Sequence, residues 1–280
     1  MRPRAGALIK RPGWLIPVFF LSQFQLVAQE LSFRDTETWA LGGCYSCSPG
    51  MVPAMRNPAT LPDMEYRSVF LNHGRLAACR ELGITTIGLQ LPAGQAGLGL
   101  CFSHLGIPGM QSNELKISCG LPLGKLLSAG LGIQFINTGI SGEAFFSQGA
   151  GCSLGLRLKL TDHLELGSHF VLPRLWIKRS SELPSPLILT SGLCYSFFST
   201  ARLFLEVRSA SLKAMQVGAG LEIELKNKVL LLLGIHHQPF GLAMGVRFRL
   251  VGFGIVLSSL YRPDTGIHPS SLLAYEWQTH

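Results

Sequence analysis

Charge is scarce in this chain: 14% of its 280 residues are Asp, Glu, Lys or Arg, against roughly 25% in average soluble domains. With 47% of residues apolar, water is not the only medium this surface meets. Long apolar runs are scarce too. A helix crossing a membrane needs about 20 consecutive apolar residues, and beyond residue 28 the best run, Val229 to Ile235, has seven. Catalytic signatures are missing as well. The chain has no nucleophile elbow, no His-Glu-x-x-His and no evident carboxylate pair, so the sequence predicts neither an enzyme nor a cofactor. No Lys/Arg run is interleaved with aromatics, which removes nucleic acid from the expected partners. His236 and His237 are adjacent, so on a strand they point to opposite faces and do not converge on a metal.

What is present begins with a leader. Arg2, Arg4, Lys10 and Arg11 precede the apolar core Trp14-Leu15-Ile16-Pro17-Val18-Phe19-Phe20-Leu21, and small Ala28 closes the segment. That order predicts a secretory signal peptide over residues 1–28. An uncleaved anchor is the competing reading, but Ser22, Gln23 and Gln25 interrupt the apolar core. Removing the leader takes four basic residues from the 24, leaving 20 against 16 acidic and lowering the net charge from +8 to +4. Export leads to an oxidising space in which the seven cysteines can form disulfides. Only Cys44 and Cys47 form a Cys-x-x-Cys pair. A loop disulfide, two free thiols, and a redox or metal role all remain open for it. Cys79, Cys101, Cys119, Cys152 and Cys194 stand singly and read as small apolar side chains.

Without a second helix span, any membrane must be crossed by strands, whose signature is period-two alternation over about ten residues. Leu127, Ala129, Leu131, Ile133 and Phe135 alternate with Ser128, Gly130, Gly132 and Gln134. Cys152, Leu154, Leu156 and Leu158 alternate with Gly151, Ser153, Gly155, Arg157 and Lys159. Segments 164–170, 215–225 and 242–249 repeat the pattern. Further strands are drawn at 66–72, 83–91, 95–104, 112–121, 188–197, 201–208, 228–236, 251–261 and 271–277. A soluble sandwich also alternates, but its wet face carries Lys and Glu. Here the second face is rich in Gly and Ser, and Gly supplies 32 of 280 residues. The expected fold is an all-β transmembrane antiparallel barrel of about 12 to 14 strands over residues 65–280, an even count being the rule for a single chain. Short turns such as Pro92-Ala93-Gly94 and Lys226-Asn227 alternate with longer connections, Thr138–Ser147 and Pro173–Pro186. Leu156 is assigned to the lipid face and Gly155 to the lumen, so Leu156→Arg is expected to impair assembly and Gly155→Ser to be milder.

Residues 29–64 do not alternate. Gly42-Gly43, Pro49-Gly50, Pro53 and Asn57-Pro58-Ala59 break the segment into turns, which predicts a short N-terminal plug inside the barrel. In Asn57-Pro58, the proline fixes its own φ and pushes Asn57 into an extended conformation. Gly42, Gly43, Asn57, Pro58 and Ala59, followed by meandering strands, resemble outer-membrane barrels of the FadL-like fatty-acid-transporter superfamily, nearest to its PorV/PorQ-like members. Thr60 stands where those proteins prefer Gly, and Cys44 and Cys47 are not part of the pattern. The resemblance implies a Gram-negative outer membrane, and PorV/PorQ-like relatives serve type IX secretion or surface attachment. It also leaves open a FadL-like passage for small hydrophobic molecules, or a structural barrel without transport. Outer-membrane lipid, secretion-system proteins and the barrel-assembly machinery are the partners implied. Tyr275 and Trp277 resemble the terminal aromatics read by that machinery, although Gln278-Thr279-His280 follow them.

The candidate lumen side chains are Arg157, Lys159, Glu165, His169, Glu222, Glu224, Arg247 and Arg249. They are expected to form ion pairs across the barrel interior rather than a substrate site.

Overall fold

The computed structural model describes residues 34–75, 82–107, 110–140, 146–178, 186–197, 200–211, 213–226 and 228–277. The leader expected at 1–28, the first residues of the plug segment, and Cys79 lie outside the described residues.

Fifteen strands form among the described residues: β1 Arg67–Arg75, β2 Gly83–Ala93, β3 Ala96–Ile107, β4 Met110–Pro122 and β5 Leu127–Ile140. They continue as β6 Phe146–Lys159, β7 Leu164–Val171, β8 Leu175–Lys178, β9 Ile188–Phe197 and β10 Ala201–Ala210. The last five are β11 Lys213–Lys226, β12 Val229–His237, β13 Gly241–Leu250, β14 Phe253–Arg262 and β15 Gly266–Trp277. Neighbours in sequence pair antiparallel, except that β7 pairs with β9. β15 returns to β1, with Leu71 opposite Leu273 and Val69 opposite Tyr275. The result is a closed, fourteen-strand antiparallel barrel, with β8 as a spur on β6. Closure leaves no free edge around the ring.

The alternation explains the closure. Along β6, Ser153, Gly155 and Arg157 are buried while Leu154 and Leu156 are exposed. Leu131, Ile133, Leu257 and Met244 also point outward, each more than half exposed. An apolar surface this extensive is suited to hydrocarbon rather than water. The inward face is the buried one and is largely polar: Ser68, Asn72, Thr86, Gln90, Ser103 and Glu114 all face in.

At the near end of the barrel, where β1 begins and β15 finishes, the connections are short, as at Gly94-Gln95 and 251–252. Pro92 and Ala93 belong to β2 rather than to a turn. The far end departs from the expected long loops. Pairing of Gly139 with Phe146 reduces the Thr138–Ser147 connection to residues 141–145, and only two residues separate β3 from β4 and β10 from β11. Within Pro173–Pro186 lies β8, which the sequence pattern did not reveal.

β7 and β8 are two halves of one broken strand. Leu172 N still donates to Cys152 O (2.9 Å), yet Ala150 pairs with Leu175 instead of Arg174, one residue out of step. Pro173 at the break has no N–H for the ladder. Among the described residues no strand pairs with the other edge of β8, where Leu175 and Ile177 are 78% and 74% exposed.

The plug follows Arg34. Asp35 caps a short helix, α1 (Thr36–Ala40), accepting from Glu37 N (3.0 Å) and Thr38 N (3.1 Å). Two 3-10 turns, Pro53–Met55 and Pro58–Asp63, lead to β1, each opening on a proline, which suits a first turn whose N–H has no partner. Ala40, Leu41, Val52, Ala54 and Leu61 are fully buried. Each leucine buried in this way contributes roughly 1.5–3 kcal/mol relative to exposure.

Candidate functional site

The interface between plug and wall is the most constrained region of the molecule, and it starts with wall glycines. Plug backbone lies directly on the inward faces of Gly97, Gly120 and Gly130 at one side, and of Gly218, Gly220 and Gly234 at the other. A Cβ at Gly130 would meet Ala59 N at 2.6 Å, and one at Gly220 would meet Leu41 O at 2.7 Å. Gly42 makes the reciprocal contact. Its φ of +65° is open to glycine, and a Cβ there would stand 2.5 Å from Ile235 O. Gly43 has φ +93° and donates its N–H to Thr38 O (2.8 Å), closing the end of α1.

Asn57 joins plug and wall through one side chain. Its Oδ1 accepts from Ala59 N (3.1 Å), while Nδ2 donates to Ser46 O (2.7 Å), Leu156 O (3.2 Å) and Ser168 O (3.2 Å). Thr60 at the departing position has its own use, because its hydroxyl donates to Asn57 O (2.8 Å). A Cβ at Gly155 would collide with Asn57 Oδ1. Gly155 faces the lumen as assigned, but the lumen there is already filled, so Gly155→Ser has to displace Asn57.

A row of buried charges runs from the plug into the wall. Arg56, 1% exposed, donates Nε to Asp35 Oδ2 (2.9 Å) and Nη2 to both Asp35 Oδ1 (2.7 Å) and Glu37 Oε2 (2.7 Å). Glu37 also pairs with Arg247 of β13 through Oε1. Arg247 Nη2 donates to Glu222 Oε2 of β11 (2.9 Å), and the other oxygen of Glu222 takes Arg202 of β10, whose Nε stands at 2.8 Å. The six groups alternate in sign, so each inner charge has opposite charges on both sides. Burial by itself would raise the Asp35 carboxyl, but the Arg56 guanidinium and the hydrogen bonds from Thr38 together outweigh it and hold the group below its ordinary value.

A second charged group pins the exit of the plug at the near end. Arg157 bridges Glu165 of β7 (Nη2, 2.6 Å) and Asp63 of the plug, and Lys159 adds a contact to Asp63 at 3.1 Å. Burial pushes the Asp63 carboxyl up, and Arg157 followed by Lys159 more than reverses this. On the far side, Glu206 of β10 accepts from Tyr45 N and Ser46 N (both 2.8 Å), and the Tyr45 hydroxyl stands 3.1 Å from His169 Nδ1 and from Thr190 Oγ1. Lys116 Nζ donates to Arg56 O (3.1 Å), and Gln90 Nε2 to Met51 O (2.8 Å).

The eight lumen side chains read from the sequence thus divide. Arg157, Lys159, Glu165, Glu222 and Arg247 pair, but with the plug as much as with one another; His169 meets Tyr45. Glu224 and Arg249 have no ion-pair partner among the described residues and stand at the near-end mouth, which corrects the expectation for them: Arg249 is exposed. There they line a cavity of about 540 Å³ together with Asp162, His163, Thr200 and Arg202. Asp35, Glu37, Arg56, Asp63, Arg202 and Glu206 were missed. Cys44 and Cys47 are free, buried thiols in the plug. Tyr275 and Trp277 stack at 5.8 Å, with Phe253 4.8 Å from Tyr275, as an aromatic group at the near end. Among the described residues no group of three or more His, Cys, Asp or Glu is placed to hold a metal.

Solved structures share the fold of this closed antiparallel barrel. The *P*. *putida* toluene transporter TodX matches with a TM-score of 0.72 and 13% identity, over 88% of this chain and 99% of that one. The CymD monoaromatic hydrocarbon channel matches with a TM-score of 0.70 and 14% identity, over 88% and 98%. A *Pseudomonas aeruginosa* FadL homologue gives 0.60 and 11%, over 86% and 96%. Identities this low speak for the fold. No family model matches the sequence, and no curated protein matches it.

Proposed function

We propose that this protein sits in an outer membrane and passes small hydrophobic molecules across it. The observation that carries the reading is the plug seated in a barrel of the same fold as two hydrocarbon channels. The plug closes the lumen against polar solutes, and among the described residues it is held by polar and apolar contacts without a covalent bond. Two further features support it. Among the described residues no strand pairs with the outer edge of β8, and an apolar molecule passing there would cross no further ladder. The near end keeps an open cavity of about 540 Å³ lined mainly by charged and polar side chains, a watery mouth into which a passing molecule can be released. The reading assigns no catalytic step to the chain. It places the near end in the periplasm, surrounds the barrel with outer-membrane lipid, and gives Tyr275 and Trp277 to recognition by the barrel-assembly machinery.

The test is uptake into proteoliposomes of toluene and of a polar solute of similar size. Toluene flux above protein-free vesicles, without flux of the polar solute, is expected. Equal toluene flux in the two preparations overturns the reading. Altered secreted proteins in a deletion strain with unchanged hydrocarbon uptake would favour secretion or surface attachment instead.

A further inference from the structure

The apolar band on the outside of the wall is not equally tall all round. On β5, Leu127, Ala129, Leu131, Ile133 and Phe135 make five outward tiers before Asn137. On β3 there are three, Leu98, Leu100 and Phe102, before His104. On β1 there are two, Val69 and Leu71, set between Arg67 and His73. The residues that end these runs form one row through the strand register. His73 stands opposite Thr85, Thr85 opposite His104, His104 opposite Asn113, and Asn113 opposite Asn137. Two hydrogen bonds knit the row, His73 Nδ1 with Thr85 Oγ1 (2.9 Å) and His104 Nδ1 with Asn113 Oδ1 (2.8 Å).

The row crosses the strands at right angles, and strands of such barrels tilt by about 40°, so it climbs from β1 to β5. A residue advances about 3.3 Å along a strand and about 2.5 Å along the barrel axis at that tilt. Six residues from the start of β1, His73 stands about 15 Å above the near end, whereas Asn137, ten from the start of β5, stands about 25 Å above it. Four ladder spacings of about 4.8 Å give a similar climb, about 12 Å. An ordinary apolar girdle is about 25 Å tall, so on β1 the band stops about 10 Å short. Above it no apolar tier follows among the described residues of β1–β3: Arg75, Gly83 and Gly106 come next and open the polar surface to the far rim. On the other flank, Ser271 and Pro269 continue the gap on β15 until Ile267, 60% exposed, restores the band.

From this notch we propose that the outer wall over β1–β3 seats phosphate-bearing headgroups of the outer-leaflet lipid, drawn about 10 Å below the surrounding headgroup plane. An apolar band too short for the hydrocarbon is met by thinning of the bilayer beside it. The alternative, imidazole, hydroxyl and amide groups held against acyl chains, is the costlier one. The chemistry of the row fits headgroups. Each imidazole uses Nδ1 within the row, which leaves Nε2 to bond a phosphate oxygen or water. Exposed Arg75, one tier above His73, adds a guanidinium suited to phosphate. A second copy of the chain fits less well, because a patch open to the far rim is not sealed from water as the core of an interface is. The inference rests on the outer-membrane reading but not on passage, so failure of the uptake assay leaves it standing.

The experiment compares Leu71→Trp with Phe135→Trp, the apolar positions just below the row on β1 and β5, both 47% exposed. The full chain is folded into phosphatidylcholine vesicles, with heat-modifiable mobility as the check that each variant has folded. Quenching by lipids brominated at successive acyl-chain positions gives the depth of each new indole above the background of the native tryptophans. Equal, shallow depths are expected. Leu71→Trp about 10 Å deeper than Phe135→Trp, as four residues against eight from the near end require in a flat bilayer, overturns the proposal. Adding His73→Leu and His104→Leu extends the apolar band, and Leu71→Trp should then move deeper; an unchanged depth overturns the proposal as well. Protection of Leu71→Trp from every brominated lipid, with cross-linked dimers, would put a second copy in the notch and overturn it too. Absence of quenching in both variants, with no heat-modifiable form of the parent chain, would remove the membrane reading itself and the proposal with it.

Discussion

Arg247 is the charged bridge that joins Glu37 of the plug to the Glu222–Arg202 pair of the wall, so Arg247→Met separates two effects that most lumen substitutions mix. In the variant, Glu37 keeps Arg56 and Glu222 keeps Arg202, so neither carboxylate is stranded without a counter-ion. Breaking a buried pair by removing one partner costs about 3–5 kcal/mol. Because both carboxylates keep a partner here, about 3 kcal/mol is the appropriate end of that range, on the order of a 100-fold shift from seated toward unseated plug. The barrel ladder does not involve the side chain and is expected to survive. The assay is limited proteolysis of the plug in detergent-solubilised barrel, with heat-modifiable mobility as the control for the wall. Arg247→Met should accelerate plug cleavage while the mobility shift persists. Arg249→Met, two residues along the same strand but at the exposed mouth, should change neither. In the double variant with Glu37→Gln, the two effects should combine to less than their sum, because they remove the same contact. Plug cleavage at the wild-type rate in Arg247→Met would refute the claim that the charge row holds the plug.

Four other outcomes follow from the same contacts. Leu156→Arg, at a lipid-facing position 45% exposed, should cost about 2–4 kcal/mol near the bilayer midplane, seen as loss of the heat-modifiable form. Gly155→Ser should leave that form but displace Asn57, and an unchanged rate of plug proteolysis would show the contact to be slack. Asn57→Ala leaves the carbonyls of Ser46, Leu156 and Ser168 without this donor, which at about 1–3 kcal/mol should lower the temperature at which the plug becomes protease-sensitive. For pH, the Asp63 carboxyl is lowered from 3.8. Its contribution is therefore fully present above that value and is lost as pH falls through the lower folded-state value. Hydrogen-exchange protection factors at the plug exit, taken relative to the intrinsic rate at each pH, should be flat from pH 7 to about 4 and fall below, and Asp63→Asn should abolish the fall.

Five ring strands were legible from outward Leu, Ile and Phe alternating with inward Gly, Ser and charge, while the other nine were drawn on a weaker pattern, and β12, with leucine at 230–233, does not alternate. The limits were set by pairing. β5 and β6 run past their patterned cores to Ile140 and from Phe146, and a ladder can extend through residues that no longer alternate. β8 was invisible because Leu175-Trp176-Ile177-Lys178 is four residues long, too short to show a period. The plug was legible as a break in alternation, and Gly42 and Asn57 as its turns. Its charges were not, since Glu37 finds Arg247 and Asp63 finds Arg157 across most of the chain. A signal did exist: Asp35, Glu37 and Arg56 are conspicuous in a glycine- and proline-rich stretch of a chain poor in charge. Gly155 shows the same limit: alternation places it on the inward face, but not Asn57, the neighbour remote in sequence that occupies the space there.

The glycine track also gauges the bore. Where plug backbone lies against wall backbone, as Gly42 does between Ala219 and Ile235, no room is left for a methyl group. Any side chain added along that track has to lift plug from wall, so the girth of the one and the diameter of the other are matched to each other at the resolution of a single carbon atom.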